Sequence, residues 1–300
     1  MFVGSFYQFI PLVELSRLQN DIQQILQAQD VVGTLLIAQE GINASVAHID
    51  KDCLINVIEN IAELHGRFKF KPIFSTARNE IVFDTLQVNI RTRTVASPQE
   101  YDFSLPISPR VSATQWDRLL NDEEVLVLDI RNHYESRIGR FINAQTLDTQ
   151  TFAEVPEQLL NDLNVDKEKT IATYCTGGIR CEKVNQILTT NGFRNVLQLD
   201  RGILGYFDST ENSTQWEGEC FVFDKRVSVT PQLTQGTATL CIACRAPLLP
   251  MDLNTDCFEY GISCPYCVNE LTVQRRSALE ERLFQLQLAE ERAAVTFGNR

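Results

Sequence analysis

Thr170-Ile171-Ala172-Thr173-Tyr174-Cys175-Thr176-Gly177-Gly178-Ile179-Arg180-Cys181-Glu182 changes character twice within a short span. Its first five residues form the short apolar run expected of a strand covered on both faces. Two glycines then permit a tight turn, and a helix is expected from about Cys181 to Asn191, where Gly192 stops it. The strand therefore delivers the Cys175 thiol to a helix start. The N–H groups of Thr176, Gly177, Gly178 and Ile179, the helix N-terminus and the Arg180 guanidinium all favour negative charge on that sulfur. An inert buried cysteine lacks such a positive surround. Cys175 is thus the leading catalytic candidate, with Arg180 as its counter-charge and Cys181 as a second thiol.

Working outward, Val125-Leu126-Val127-Leu128 and Val196–Leu199 repeat the buried-strand pattern. Helices are expected to alternate with these strands, one before Val125 opened by the Ser112-Ala113-Thr114-Gln115 capping box and one over Phe152–Leu163. Alternating strands and helices imply an α/β domain with a parallel sheet, its ligands at the carboxyl ends of the strands. Asp129 and Arg131, at one such end, are expected to pair and brace it.

Residues 1–96 follow a different order. A strand at Phe6–Ile10 precedes a helix through Leu15, Leu18, Ile22 and Leu26. Strands at Gly33–Ala38 and Asn43–Ala47 follow, then a helix through Leu54, Val57, Ile58 and Ile61. Alternation returns across Phe68–Phe74 and Val88–Val95. This is the βαββαβ plan of ferredoxin-like, or acylphosphatase-like, α+β domains. The proline- and serine-rich residues 97–111 read as a linker, 112–222 as the α/β catalytic domain, and 223–300 as a cysteine-rich region. That region ends in a helix over Ser277–Ala294, whose Leu279, Leu283 and Leu286 face is expected to dock on its own protein.

The chain carries nine cysteines, has no run of about 18 apolar residues and lacks an apolar leader, so a cytoplasmic protein using its thiols for metal or catalysis is expected. No membrane partner and no nucleotide cofactor site are evident. A net charge of −12 excludes a basic coat over the whole molecule. Yet Leu64–Arg110 holds seven basic residues against four acidic ones, whereas residues 1–63 hold two against eight. Local binding of an anion is therefore compatible with the sequence. Arg67, Lys69 and Lys71 are its candidate phosphate contacts, with Phe68 and Phe70 as rings for bases. The alternative is an ordinary amphipathic strand whose phenylalanines are core.

The cysteine loop, with Asp129-Ile130-Arg131-Asn132 and Tyr134-Glu135 upstream and Asp200-Arg201-Gly202 downstream, resembles the rhodanese domain. Six residues from Cys175 to Arg180 is the rhodanese loop length; related phosphatases use one residue more. Together with Gly33–Ala44 and the C-terminal cysteine pairs, nearly the full chain is similar to the tRNA uridine hydroxylase family. That resemblance implies oxygen-dependent conversion of uridine to 5-hydroxyuridine at the wobble position, with tRNA as partner and molecular oxygen as co-substrate. Two other functions compete. One is a sulfurtransferase carrying a persulfide on Cys175, although Thr176 stands where thiosulfate-type loops place a basic residue. The other is a noncatalytic tRNA- or protein-binding module.

Cys241-Ile242-Ala243-Cys244 and Cys264-Pro265-Tyr266-Cys267 are separated by 19 residues, a zinc-knuckle spacing. Four thiolates would close a structural zinc site with no open position. Reduced cysteines without metal are the alternative, and Cys257 lies between the pairs as a substitute ligand.

Overall fold

A computed structural model describes residues 1–78, 81–162, 165–210 and 214–298. The chain divides into two compact units, 1–236 and 237–300.

The first unit opens with β1 (Phe2–Phe9), α1 (Leu15–Gln27), β2 (Val32–Ala38), β3 (Gly41–His48), α2 (Lys51–Glu63), β4 (Ile73–Thr76) and β5 (Leu86–Ile90). Their sheet runs β4-β1-β3-β2-β5, antiparallel except for the β2–β5 pair. The first four strands make the expected split βαβ plan, and β5 extends it at the β2 edge. Leu18, Ile22 and Leu26 of α1 and Leu54, Val57, Ile58 and Ile61 of α2 are buried against one sheet face, as their helical spacing requires. Asp50 caps α2 by accepting from the Asp52 N–H at 2.8 Å.

Two expected strands are shorter than their patterns. Across Phe68–Phe74 only Ile73 onward is strand, because Pro72 has no N–H to give a ladder. Phe68 and Phe70 pack into the core instead, their rings stacked at 4.9 Å. Phe68 is buried and Phe70 half-buried against it, and neither lines the cavity that holds Cys175. β5 stops at Ile90, where β2 runs out, and Thr94 turns inward to bond Glu40.

A central lobe follows with β6 (Arg110–Val111), α3 (Ala113–Leu120), β7 (Val125–Asp129), α4 (His133–Arg137), β8 (Gly139–Phe141), β9 (Gln145–Thr146) and α5 (Val155–Asp162). It continues with β10 (Thr170–Tyr174), α6 (Ile179–Thr190), β11 (Val196–Leu199), α7 (Gly202–Ser209), β12 (Trp216–Gly218), β13 (Cys220–Phe221) and β14 (Ser228–Val229). The sheet β6-β11-β10-β7-β9 is parallel throughout, as the buried runs imply. Ser112 caps α3 through the expected capping box. Of the helix expected over Phe152–Leu163, Val155–Asp162 is helical and Leu163 lies outside the described residues. The Phe141 ring meets Tyr174, Tyr206 and Trp216 edge-on at 4.9–5.0 Å. Each such contact adds about 0.5–1.5 kcal/mol beyond burial, and together they tie β8, β10, α7 and β12.

From Arg180 to Leu188, α6 is buried on every side, although the polar side chains of Glu182, Lys183, Asn185 and Gln186 interrupt any apolar stripe. The sheet covers one side. The N-terminal lobe and residues 97–111 cover the other, and they supply the polar partners that burial demands. Lys183 donates to Glu40 at 2.8 Å. Gln186 donates to the Asp102 carbonyl at 2.7 Å and accepts from its N–H at 3.0 Å. Asn185 accepts from Thr173 at 2.8 Å. The expected linker is thus pinned along α6. Residues 223–236 belong to the first unit, where Arg226 donates to Ser75 Oγ at 2.7 Å.

The second unit contains β15 (Thr239–Leu240), β16 (Pro247–Leu248) and α8 (Val273–Gly298). Its small core is made of Cys241, Leu248, Cys264 and Cys267. α8 starts before the expected Ser277, pinned by the Arg276–Glu259 pair at 2.7 Å. Leu279 is buried and Leu283 lies over Gly261, whereas Leu286 is exposed.

Candidate active site

β10 ends at Tyr174, and Cys175 begins the turn into α6. Gly178 takes φ +98°, which glycine alone adopts without strain, and this aims its N–H at Cys175 Sγ, 3.1 Å away. The start of α7 closes over the loop. Ile203 N–H donates to the Cys175 carbonyl and Leu204 N–H to the Thr176 carbonyl, both at 3.0 Å. Gly202 has φ +62°, and a Cβ there would lie 2.4 Å from the Cys175 carbonyl oxygen. The loop is therefore fixed from both neighbouring helices.

Burial by itself pushes the Cys175 thiol up. A hydrogen bond from the Cys181 thiol, the Arg180 charge and the Cys181 and Arg180 backbone N–H groups outweigh it, and the pKa is pulled down to about 6. Cys181 moves the opposite way: burial and the neighbouring sulfur hold its proton on. At neutral pH the pair is one thiolate and one thiol donor.

Arg180 does not point its fork at sulfur. It donates to both oxygens of Glu135, at 2.6 and 2.8 Å, and to Thr176 Oγ1 at 3.3 Å. Arg180 still lowers the Cys175 pKa through space, as expected, with its charge partly neutralised by the buried Glu135 carboxylate. Asp129 and Arg131 form the expected brace, with bonds of 2.9 and 2.5 Å, and Tyr174 donates to Asp129 at 2.8 Å.

Cys175 lines a cavity of about 860 Å³. The sulfur-bearing side chain has no exposed area, so an incoming ring must displace the atoms covering it. Both lobes build the walls. Tyr7 of β1 reaches across and donates to Glu182 at 2.6 Å; Arg110 donates to the same oxygen at 2.6 Å. Burial and that carboxylate keep the Tyr7 phenol protonated. Of the lining cations, Arg110, Arg180, Arg201 and Arg226 are each paired with a carboxylate (Glu182, Glu135, Asp208 and Asp224). The charge that the cavity offers an anion is therefore that of the exposed Lys69 and Lys71.

Residues 1–93 match the family described as UPF0176 acylphosphatase like domain, and residues 112–209 the Rhodanese-like domain. The chain is 35% identical to tRNA uridine(34) hydroxylase from Teredinibacter turnerae, over 99% of this chain and 93% of the relative. It is 34% identical to tRNA uridine(34) hydroxylase from Acaryochloris marina, over 98% and 95%. The chain belongs to the tRNA uridine(34) hydroxylase family.

In this member of the tRNA uridine(34) hydroxylase family, Cys175, Thr176, Gly177, Ile179 and Arg180 line one cavity, with Gly178 and Cys181 bonded to the sulfur from behind. Lys69 and Lys71 are exposed and line the same cavity; Arg67 is exposed but does not. Tyr7, Arg110 and Glu182 were not singled out by sequence. Tyr7 carries no local signal, because its partner is 175 residues away. Glu135 was quoted in a motif, but its pairing with Arg180 requires the fold.

Sγ atoms of Cys241, Cys244, Cys264 and Cys267 lie within 4.8 Å of one another in the second unit. The Cys244–Cys264 and Cys264–Cys267 separations are 3.7 and 3.6 Å. Four thiolates at ~2.3 Å from a tetrahedral zinc stand ~3.8 Å apart, so the donor set fits. Cys257 is exposed and outside this cluster.

Proposed function

We propose that this protein hydroxylates carbon 5 of the wobble uridine of tRNA, with molecular oxygen as co-substrate and Cys175 as nucleophile. The observation that carries this reading is a thiol with a pKa of about 6 lining a cavity that also carries the exposed Lys69 and Lys71, in a chain aligned over nearly its whole length with named tRNA uridine(34) hydroxylases. Cys175 Sγ adds to carbon 6 of uracil, and the electron pair of the 5,6 double bond moves onto carbon 5 and the adjoining carbonyl as an enolate. Carbon 5 is then the nucleophile toward oxygen. Backbone N–H groups of the loop residues that line the cavity, Thr176 and Gly177 among them, are donors for negative charge developing on the ring. Carbon 5 takes up O2 and a proton as a hydroperoxide; the Cys181 thiol takes its outer oxygen as a sulfenic acid and leaves the 5-hydroxyl. Loss of the carbon 5 proton then expels Cys175 from carbon 6. The freed Cys175 thiolate displaces water from Cys181 to leave a disulfide that an external dithiol reduces. Lys69 and Lys71 hold phosphates at the cavity, and Arg67 extends that contact outside it.

Nucleoside mass spectrometry of tRNA from cells lacking the protein tests this reading. Loss of 5-hydroxyuridine derivatives at position 34 is expected. Unchanged levels reject it, and loss of thiolated nucleosides instead would assign sulfur transfer.

The four clustered cysteines hold a structural zinc in this proposal. Zinc would supply no chemistry to the reaction and would fix a unit whose own core is small. Freshly purified protein is expected to carry one equivalent, and a chelator to unfold residues 237–300 while the first unit stays folded. Metal-free protein with the same melting profile would reject the site.

A further inference from the structure

Phe223 and Ile107 are the two large apolar side chains that both line the cavity and stand exposed among the described residues. Phe223 is 65% exposed, in the turn joining β13 to β14. Water contact over that much of a phenyl ring forgoes part of the ~1.5–3 kcal/mol that full burial supplies. The ring is nonetheless held in place. Phe221 meets it edge-on at 5.1 Å, and Tyr134 meets Phe221 edge-on at 5.3 Å. The Arg180 guanidinium sits 5.8 Å from the Phe223 ring centre. A fixed row of rings thus runs beside the catalytic loop and ends in a largely bare ring.

We propose that Phe223 is the stacking platform for the nucleobase flanking the target uridine, an assignment that rests on the hydroxylase reading above. Depth separates the two bases. Cys175 has no exposed surface, so the reacting ring must enter the protein to meet it, while Phe223 lines the same cavity and is exposed to solvent. The neighbouring base is then presented at the height of Phe223. The cavity, near the top of the ~300–1,000 Å³ range that accommodates drug-sized ligands, has room for more than one pyrimidine. Exposed Lys69 and Lys71 line the same cavity and supply the charge that the phosphates joining the two nucleotides need. A ring is suited to the task because every base has a π-face, so contact at the rim tolerates different anticodons.

The test uses the full chain and anticodon stem-loop RNAs carrying 2-aminopurine on one side or the other of the target uridine. Wild-type protein is expected to quench one of the two probes. Phe223→Ala and Phe223→Leu are expected to lose that quench and to raise KM by about tenfold, with kcat little changed. Phe223→Trp restores both. Unchanged Cys175 alkylation in these variants separates lost stacking from a damaged loop. Wild-type kinetics and quench in Phe223→Leu would overturn the proposal. If the wild-type protein forms no hydroxyuridine in any tRNA, the functional reading fails first and this assignment with it.

Discussion

Replacement of Cys175 by serine is expected to cut 5-hydroxyuridine formation on the order of a thousandfold or more, with melting behaviour close to that of the wild-type chain. The size follows from chemistry. The loop draws a thiol down to a pKa of about 6, so most of Cys175 is thiolate at neutral pH. A serine hydroxyl in the same loop stays protonated and is a poor nucleophile, and loss of a covalent nucleophile removes nearly all of a reaction's rate. The fold tolerates the change because the Gly178 N–H that met sulfur at 3.1 Å can meet the serine oxygen. Nucleoside mass spectrometry after incubation with tRNA reads the outcome. Activity within tenfold of wild type would show that carbon 6 is not attacked by this residue.

Glu135→Ala is expected to destabilise the first unit by about 3–5 kcal/mol, because it strands a buried guanidinium. Arg180 and Glu135 are both buried, and their two short bonds satisfy charges that cost several kcal/mol each to desolvate. Removing both charges together costs less: Glu135→Leu with Arg180→Met fills the space without leaving an orphan ion and should recover most of the lost stability. Urea denaturation of the three proteins measures this. A single-variant loss below about 1 kcal/mol would mean that water reaches the pair, contrary to the burial observed.

What the sequence made legible was local. The strand-to-helix turn at Cys175 and the capping box at Ser112 each depend on neighbours within a few residues. So does the paired spacing of Cys241–Cys244 and Cys264–Cys267. The hydrophobic runs of β7, β10 and β11 marked a sheet covered on both faces. Other features depend on partners far along the chain. Glu182, Lys183 and Gln186 have the composition of a solvated helix face, yet Tyr7, Glu40 and Asp102 bury them. Phe68 and Phe70 alternate with lysines as strand residues do, but Pro72 ends the ladder, Phe68 enters the core and Phe70 packs against it. Arg180 suggested a counter-ion for sulfur; only the fold brings Glu135 to it.

One measurement bears most directly on the anionic sulfur. Alkylation of the full chain over a pH series, with Cys175-containing peptide quantified by mass spectrometry, reports the thiolate fraction of that residue alone. Because the pKa is lowered, the reactive form is present above pH 6 and is lost as pH falls through about 6. In Cys181→Ala, which removes a hydrogen bond to sulfur, the midpoint should move upward. A wild-type midpoint near 9, the ordinary value for the thiol, would contradict the account at its base.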